Sequence, residues 1–168
     1  MNKYYTVISL SLLVVLLDQI TKALVRSSLS LFEKIPLLPF LNLTHVRNRG
    51  AAFGILNNLP EEVRLPLFVA IFAVAILVIF FFLKKTKGEE NLLILSLSLI
   101  LGGAVGNSID RLRLGYVTDF VDLHWFGNPK YHWPAFNAAD SAITIGVALI
   151  IIETLILKRQ AKDVHRDN

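Results

Sequence analysis

The chain of 168 residues contains no cysteine. That absence removes thiol catalysis, disulfides and thiolate metal sites together, and it leaves any loop outside a membrane to be ordered by packing alone. His45, His124 and His132 lack the helical two-histidine spacing of a zinc site, so no metal or other cofactor is expected. Charged residues make up 18% of the chain against 54% hydrophobic. The net charge of +4 is not gathered into a basic helix or patch, which argues against nucleic acid and fits anionic lipid neighbours. No repeat or low-complexity tract interrupts what reads as one domain.

What is abundant is long apolar sequence. A bilayer core of about 30 Å asks for about 20 apolar residues per helix. Four stretches approach that length: residues 5–25, 65–83, 92–109 and 141–157. The third does so only by running through Gly102, Gly103 and Gly106, which membrane helices tolerate. The first is interrupted by Asp18 and Lys22 and no small-x-small cleavage site follows it, so it reads as a permanent helix and not a removable signal peptide. An even number of spans puts both termini on one side. Basic residues are as numerous in the outer loops 26–64 and 110–140 as elsewhere, but they crowd into the short loop of Lys84, Lys85 and Lys87 and into the tails, which predicts cytoplasmic termini.

Two aspartates stand where apolar runs meet polar sequence, and a carboxylate near hydrocarbon is costly enough to be a functional candidate. Gly115 to His124 reads as a short strand in which Val117, Asp119, Val121 and Leu123 share one face and Thr118, Phe120, Asp122 and His124 the other. Asp119 thereby sits with aliphatic neighbours, where burial raises a carboxyl pKa, while Asp122 accompanies polar groups. The structural alternative for Asp119 is a pairing with Arg111 or Arg113. Asp140 precedes the fourth apolar run, where it either caps the helix itself or, with Asn137 as the cap, lies in the first turn facing inward.

The first outer loop holds a proline-broken stretch, Ile35 to Phe40, then Leu41 to Val46 in strand-like alternation. The glycines of the next segment, Asn48 to Gly54, permit either an ordinary hairpin turn or close backbone approach to a ligand. Asp18 and Lys22, four apart, make a helical ion pair. Asn107, Asp110 and Arg111 end the third helix as a polar group suited to bracing a site. Glu153, with Lys158 and Arg159 beyond it, is expected to snorkel, and Trp125 and Trp133 read as interfacial belt anchors.

Five runs together point further: Leu17-Asp18-Gln19-Ile20-Thr21-Lys22, Asn48-Arg49-Gly50-Ala51-Ala52-Phe53, Gly102 through Arg111, Val117-Thr118-Asp119-Phe120, and Phe136-Asn137-Ala138-Ala139-Asp140-Ser141. In order and spacing they resemble the signature blocks of the bacterial lipoprotein signal peptidases (signal peptidase II). The resemblance implies a mainly α fold: a four-helix inner-membrane aspartyl protease with a small extracytoplasmic β-rich cradle and a lid-like segment. It implies cleavage of prolipoproteins before a diacylglyceryl-modified cysteine, without metal, by a monomer amid membrane lipids, and inhibition by globomycin. Asp119 and Asp140 become the catalytic pair. Asp18, Asn48, Gly50, Asn107, Asp110, Arg111 and Asn137 become supporting or substrate contacts, with Lys22 joining them through Asp18.

In such a pair one proton is shared, the ionised acid activating water and the protonated one hydrogen-bonding the scissile carbonyl. The helix start favours Asp140 as the anion and the aliphatic strand face favours Asp119 as the neutral acid. Two other classes compete: a small proton- or cation-coupled transporter relaying through Asp18, Asp119 and Asp140, and an assembly subunit without chemistry.

Overall fold

The structure, a computed structural model, describes residues 2–51, 55–86, 90–124 and 133–166, with side chains as far as Ile156. Ala52, Phe53, Gly54, Lys87, Trp125 and His132, and the side chains of Lys158 and Arg159, lie outside the described residues. The elements run α1 (Lys3–Ser28), β1 (Lys34–Leu38), β2 (Leu41–Asn48), α2 (Glu61–Lys85), α3 (Asn91–Leu114), β3 (Val117–Leu123) and α4 (Ala138–Arg166).

Each helix coincides with one of the apolar runs and is long enough to cross a bilayer: α1, α2 and α3 have 26, 25 and 24 residues, which at about 1.5 Å per residue exceeds a core of about 30 Å. The helices outlast the apolar runs. Expected to stop at Ile109, α3 continues to Leu114, because Asp110 and Arg111 still find partners on its flanks and the first helix-breaking residue is Gly115, left-handed at φ 74°. Asp110 and Arg111 are therefore helical, not part of the outer loop.

The three strands form one antiparallel sheet in the order β1-β2-β3. β2 and β3 fall where alternation placed them. β1 corrects the reading of residues 35–40 as merely proline-broken: Pro36 is accommodated because β1 is an edge strand, where a missing N–H leaves no ladder bond unmade, and the register slips beside it between Pro36 and Leu38. In the β2/β3 register Val46 faces Asp119 and Asn48 faces Val117, so Asn48 is the diagonal same-face neighbour of Asp119.

The bundle is apolar outside and mixed inside. Leu12, Leu16, Leu24, Phe80, Phe81, Ile151 and Leu155 are exposed, whereas Asp18, Lys22, Asn107, Asp110 and Asn137 are buried, the arrangement for a chain whose solvent is lipid. α3 is the central helix, with 44% of its span buried against 6% for α2. Small residues let it be central. A Cβ on Gly103 would run into the carbonyl of Ala139 in α4, and one on Gly106 would stand 2.6 Å from Asp18 Oδ2 in α1. At one end of the bundle Val7, Ile79, Leu83, Ile94 and Leu97 close an apolar cluster. At the other, where the sheet sits, the interior is polar.

Candidate active site

Asn137 stands at the N-cap of α4. Its Oδ1 accepts the Asp140 backbone N–H at 2.9 Å, and Asp140 Oδ2 accepts the Asn137 backbone N–H at 3.2 Å. This reciprocal capping satisfies two backbone donors at once. It decides between the two sequence readings: Asn137 caps, and Asp140 lies half-buried in the first turn facing the cleft. The same Asn137 reaches across with its Nδ2 and donates to Asp119 Oδ1 at 2.7 Å. One asparagine thus holds both carboxylates.

Asp119 enters from β3 and is 1% exposed. Its other oxygen accepts from Asn48 Nδ2 at 3.0 Å, the diagonal contact that the strand register predicts. Asn48 is in turn fixed by the Gly50 N–H, which donates to Asn48 Oδ1 at 2.9 Å. Both partners of Asp119 are neutral amides. Pairing with Arg111 or Arg113 does not occur: among the described residues, basic side chains make ion pairs with Asp18, Asp110 and Asp122. Burial, and secondarily the charge of Asp140, push the Asp119 pKa from 3.8 up to about 7.

A second tier lies beneath. Asn107 on α3 donates from Nδ2 to Asp140 Oδ1 at 2.7 Å, while its Oδ1 accepts from Lys22 Nζ at 2.9 Å and from Asn137 Nδ2 at 3.2 Å. Lys22 and Asp18, both 0% exposed, pair at 2.8 Å as their spacing predicts. Asp18 Oδ1 also accepts the Ala139 N–H at 3.0 Å, tying α1 to the first turn of α4. Asp110 Oδ2 accepts the Thr118 N–H at 3.0 Å and so pins β3 to α3 one residue before Asp119. Arg111 donates from Nη2 to the Gly50 carbonyl at 3.0 Å, and its guanidinium lies 4.1 Å from the Phe68 ring centroid. The loop after β2 is thereby anchored to α3, and Ala51 N–H closes it on the Ile55 carbonyl at 2.7 Å. The element that follows β2 is α2, so β2 does not turn back into a hairpin with the next element. Gly50 is required there, since a Cβ would strike the Ile55 carbonyl.

All ten residues singled out from the sequence converge on this end of the bundle. Asp122 does not join them: it is buried on the other face, accepting from Lys34 Nζ at 2.8 Å and Asn42 Nδ2 at 3.1 Å. Two contributors escaped the sequence reading. Gln19 Nε2 bridges Asp18 Oδ2 and Asp110 Oδ1 at 3.1 and 3.3 Å, and Arg26 donates to Thr118 Oγ1 at 3.1 Å. Only the adjacency of Gln19 to Asp18, and Arg26 one turn beyond Lys22, hinted at them.

Asp119, Asp140, Asn48 and Arg111 line a cleft of about 770 Å³ whose remaining wall is largely apolar, including Val46, Phe136, Ile143 and Ile145. Among the described residues no group of three or more His, Asp or Glu side chains converges as metal ligands would. Two carboxylates linked through Asn137 stand at the polar end of the bundle, one of them buried and with its pKa raised to about 7, which puts the site in the class of unequal carboxylate pairs suited to acid–base chemistry.

The comparisons with known proteins narrow that class. The sequence profile of the family described as signal peptidase (SPase) II matches residues 10–156. The lipoprotein signal peptidase of Syntrophotalea carbinolica is 48% identical over 141 residues, 83% of this chain and 84% of its own. That of Geobacter metallireducens is 47% identical over 149 residues, covering 88% and 89%. Burkholderia mallei supplies another at 47% over 155 residues, covering 92% and 90%. A bacterial membrane enzyme solved by the in meso method at 2.3 Å resolution shares 37% identity and a TM-score of 0.78, covering 89% of this chain and 87% of its own. This chain belongs to the signal peptidase II family of aspartic peptidases.

Proposed function

We propose that Asp119 and Asp140 are the catalytic pair of a lipoprotein signal peptidase that cuts prolipoproteins immediately before the diacylglyceryl-modified cysteine. The removal of signal peptides from prolipoproteins follows from family membership. The observation that carries the residue assignment is the unequal environment of two carboxylates held by the same Asn137: Asp119 buried, with its pKa raised to about 7, and Asp140 at a helix N-terminus, accepting from Asn107 Nδ2 and the Asn137 N–H.

In the reaction the Asp140 carboxylate takes a proton from water as the water oxygen bonds to the scissile carbonyl carbon. Asp119 passes its proton to the carbonyl oxygen, giving a neutral tetrahedral diol. Collapse breaks the C–N bond. The proton held on Asp140 goes to the leaving nitrogen, and a diol hydroxyl returns its proton to Asp119. One water is consumed, a signal-peptide carboxylic acid and the amine of the lipidated cysteine are released, and both aspartates end as they began.

The apolar wall of the cleft suits acyl chains, and a substrate held in the interface by its lipid presents its peptide bond at high local concentration. The crowding of basic residues supports insertion in a bacterial inner membrane with both termini cytoplasmic and the cleft on the outer side. Globomycin is expected to occupy the cleft, and the enzyme to act as a monomer. The test is cleavage of a fluorescent diacylglyceryl lipobox peptide by the purified chain in lipid nanodiscs. Turnover blocked by globomycin, and lost on Asp119→Asn or Asp140→Asn, supports the reading. Substantial turnover by either variant removes that residue from the mechanism.

A further inference from the structure

Beneath the pair lies a positive charge that the steps above do not use. The Lys22 ammonium is wholly buried: it lies 2.8 Å from Asp18 Oδ2, donates to Asn107 Oδ1 at 2.9 Å and stands 3.5 Å from Asp110 Oδ2 as a longer ion pair. Neutralising Asp18 does not by itself require a lysine, since a buried ion pair can be replaced by neutral groups of similar volume at little cost to stability. The contact with Asn107 is different in kind.

An ammonium donates and cannot accept. Only the oxygen of the Asn107 amide can face it, and Asn137 Nδ2 approaches that same oxygen at 3.2 Å. The NH2 group must then point the other way, where it donates to Asp140 Oδ1 at 2.7 Å. A flipped amide would set donors against an ammonium and an oxygen against a carboxylate. Without Lys22 the orientation would rest on Asp140 itself and on Asn137, whose Nδ2 is shared with Asp119.

We infer that Lys22 is a positioning residue for the reaction: its buried ammonium locks the Asn107 amide so that Asp140 always meets an N–H and is kept as the water-activating carboxylate. The inference rests on the assignment of Asp119 and Asp140 as the catalytic pair. Other charges face the same region, and all stay in place when Lys22 is changed: Asp110 on α3, with Arg26 of α1 3.8 Å from it, Arg111 on α3 at the cleft, Asp119 on β3 and Asp140 on α4.

The test separates positioning from neutralisation. In Asp18→Asn/Lys22→Met the ion pair is removed as a unit, Asp110 keeps Arg26 at 3.8 Å and the Thr118 N–H, and the amide oxygen introduced at position 18 would still accept the Ala139 N–H. Full-length protein in nanodiscs is assayed on the diacylglyceryl lipobox peptide across pH, alongside thermal unfolding. The double variant should melt near the wild type with KM within about twofold, while kcat falls about 10- to 100-fold, the scale at which an orienting partner acts, and the acid limb of the rate profile moves up by about one pH unit. Asn107→Ala leaves the ion pair intact and should give the same kcat loss and the same shift. Combining all three substitutions should lower kcat by less than about twofold more, because both routes end at Asp140.

A folded double variant with wild-type kcat and pH profile would overturn the inference, leaving Lys22 as a counter-ion only. So would an unshifted profile in Asn107→Ala, which decides the matter even if the double variant does not fold, or losses that multiply. Failure of the catalytic assignment is read separately, as turnover by Asp119→Asn or Asp140→Asn.

Discussion

The two ends of the bundle are built on opposite principles. At one end Val7, Ile79, Leu83, Ile94 and Leu97 form an apolar cluster, beside which the buried hydroxyls of Ser11, Ser96 and Ser98 donate to helix backbone carbonyls; at the other, the buried charged and amide side chains of Asp18, Lys22, Asn107, Asp110, Asn137 and Asp119 are joined by directed hydrogen bonds. The same helices supply both. An apolar cluster tolerates rearrangement as long as volume is kept, because dispersion and burial have little directionality. The polar end tolerates none, because each amide there is oriented by a donor at its own oxygen: Asn48 by the Gly50 N–H, Asn107 by Lys22, Asn137 by the Asp140 N–H. Stability and chemistry are thus separable along the membrane normal, and substitutions at the two ends should be distinguishable by what they change.

The largest effect is expected at the carboxylates. Asp119→Asn or Asp140→Asn removes a titratable proton while keeping shape, so cleavage should fall by at least about 10³-fold while insertion and thermal unfolding change little. Asp119→Asn loses about one hydrogen bond, a cost on the order of 1 kcal/mol, but also relieves a buried carboxyl. Gly106→Ala attacks the polar end sterically. Its Cβ would meet the Asp18 carboxylate, costing about 1–3 kcal/mol by overpacking and disturbing Lys22 with it, so activity should fall together with stability. Leu97→Ala is the counterpart at the apolar end. It should cost about 2–5 kcal/mol yet leave kcat of the folded fraction unchanged. Equal loss of kcat in Leu97→Ala would break the comparison.

Smaller effects sharpen it. Asp119 is protonated below about 7 and ionised above, so kcat/KM should decline about tenfold per pH unit on the alkaline side of that value. The linked stability has the same sign. With the folded-state pKa raised from 3.8 to about 7, the folded form holds the proton more tightly, and stability is lost as pH rises through that window, a dependence that Asp119→Asn should abolish. Smallest of all, Asp122→Asn should leave most of the activity, since Asp122 lies on the opposite strand face with Lys34 and Asn42. Losses comparable to those of Asp119→Asn would contradict the face assignment.

What the sequence revealed follows from which forces are periodic. Four apolar runs gave four helices, and two-residue alternation in 117–123 put Asp119 and Asp122 on different faces, as observed. The spacing of Asp18 and Lys22 gave their ion pair. Less legible was whatever depends on a partner distant in sequence. Pro36 sits in a strand because the strand is at an edge, and the third helix runs past Ile109 because Asp110 finds the Thr118 N–H and Arg111 the Gly50 carbonyl. The choice between Asp140 and Asn137 as cap was settled only by the reciprocal bonds between them, the bridge from Asn137 to Asp119 depends on a strand distant in sequence, and Gln19 drew its role from two carboxylates, one of them on another helix.

The central claim is that the buried strand carboxyl holds the shared proton while the helix-start carboxyl is the anion. Infrared difference spectra in the carboxyl stretching region at about pH 6, below the value near 7 for Asp119, test it directly. A protonated-carboxyl band should be present in the unmodified enzyme, persist in Asp140→Asn, and vanish in Asp119→Asn. A band that survives Asp119→Asn and disappears only in Asp140→Asn would contradict the assignment and reverse the roles of the two acids.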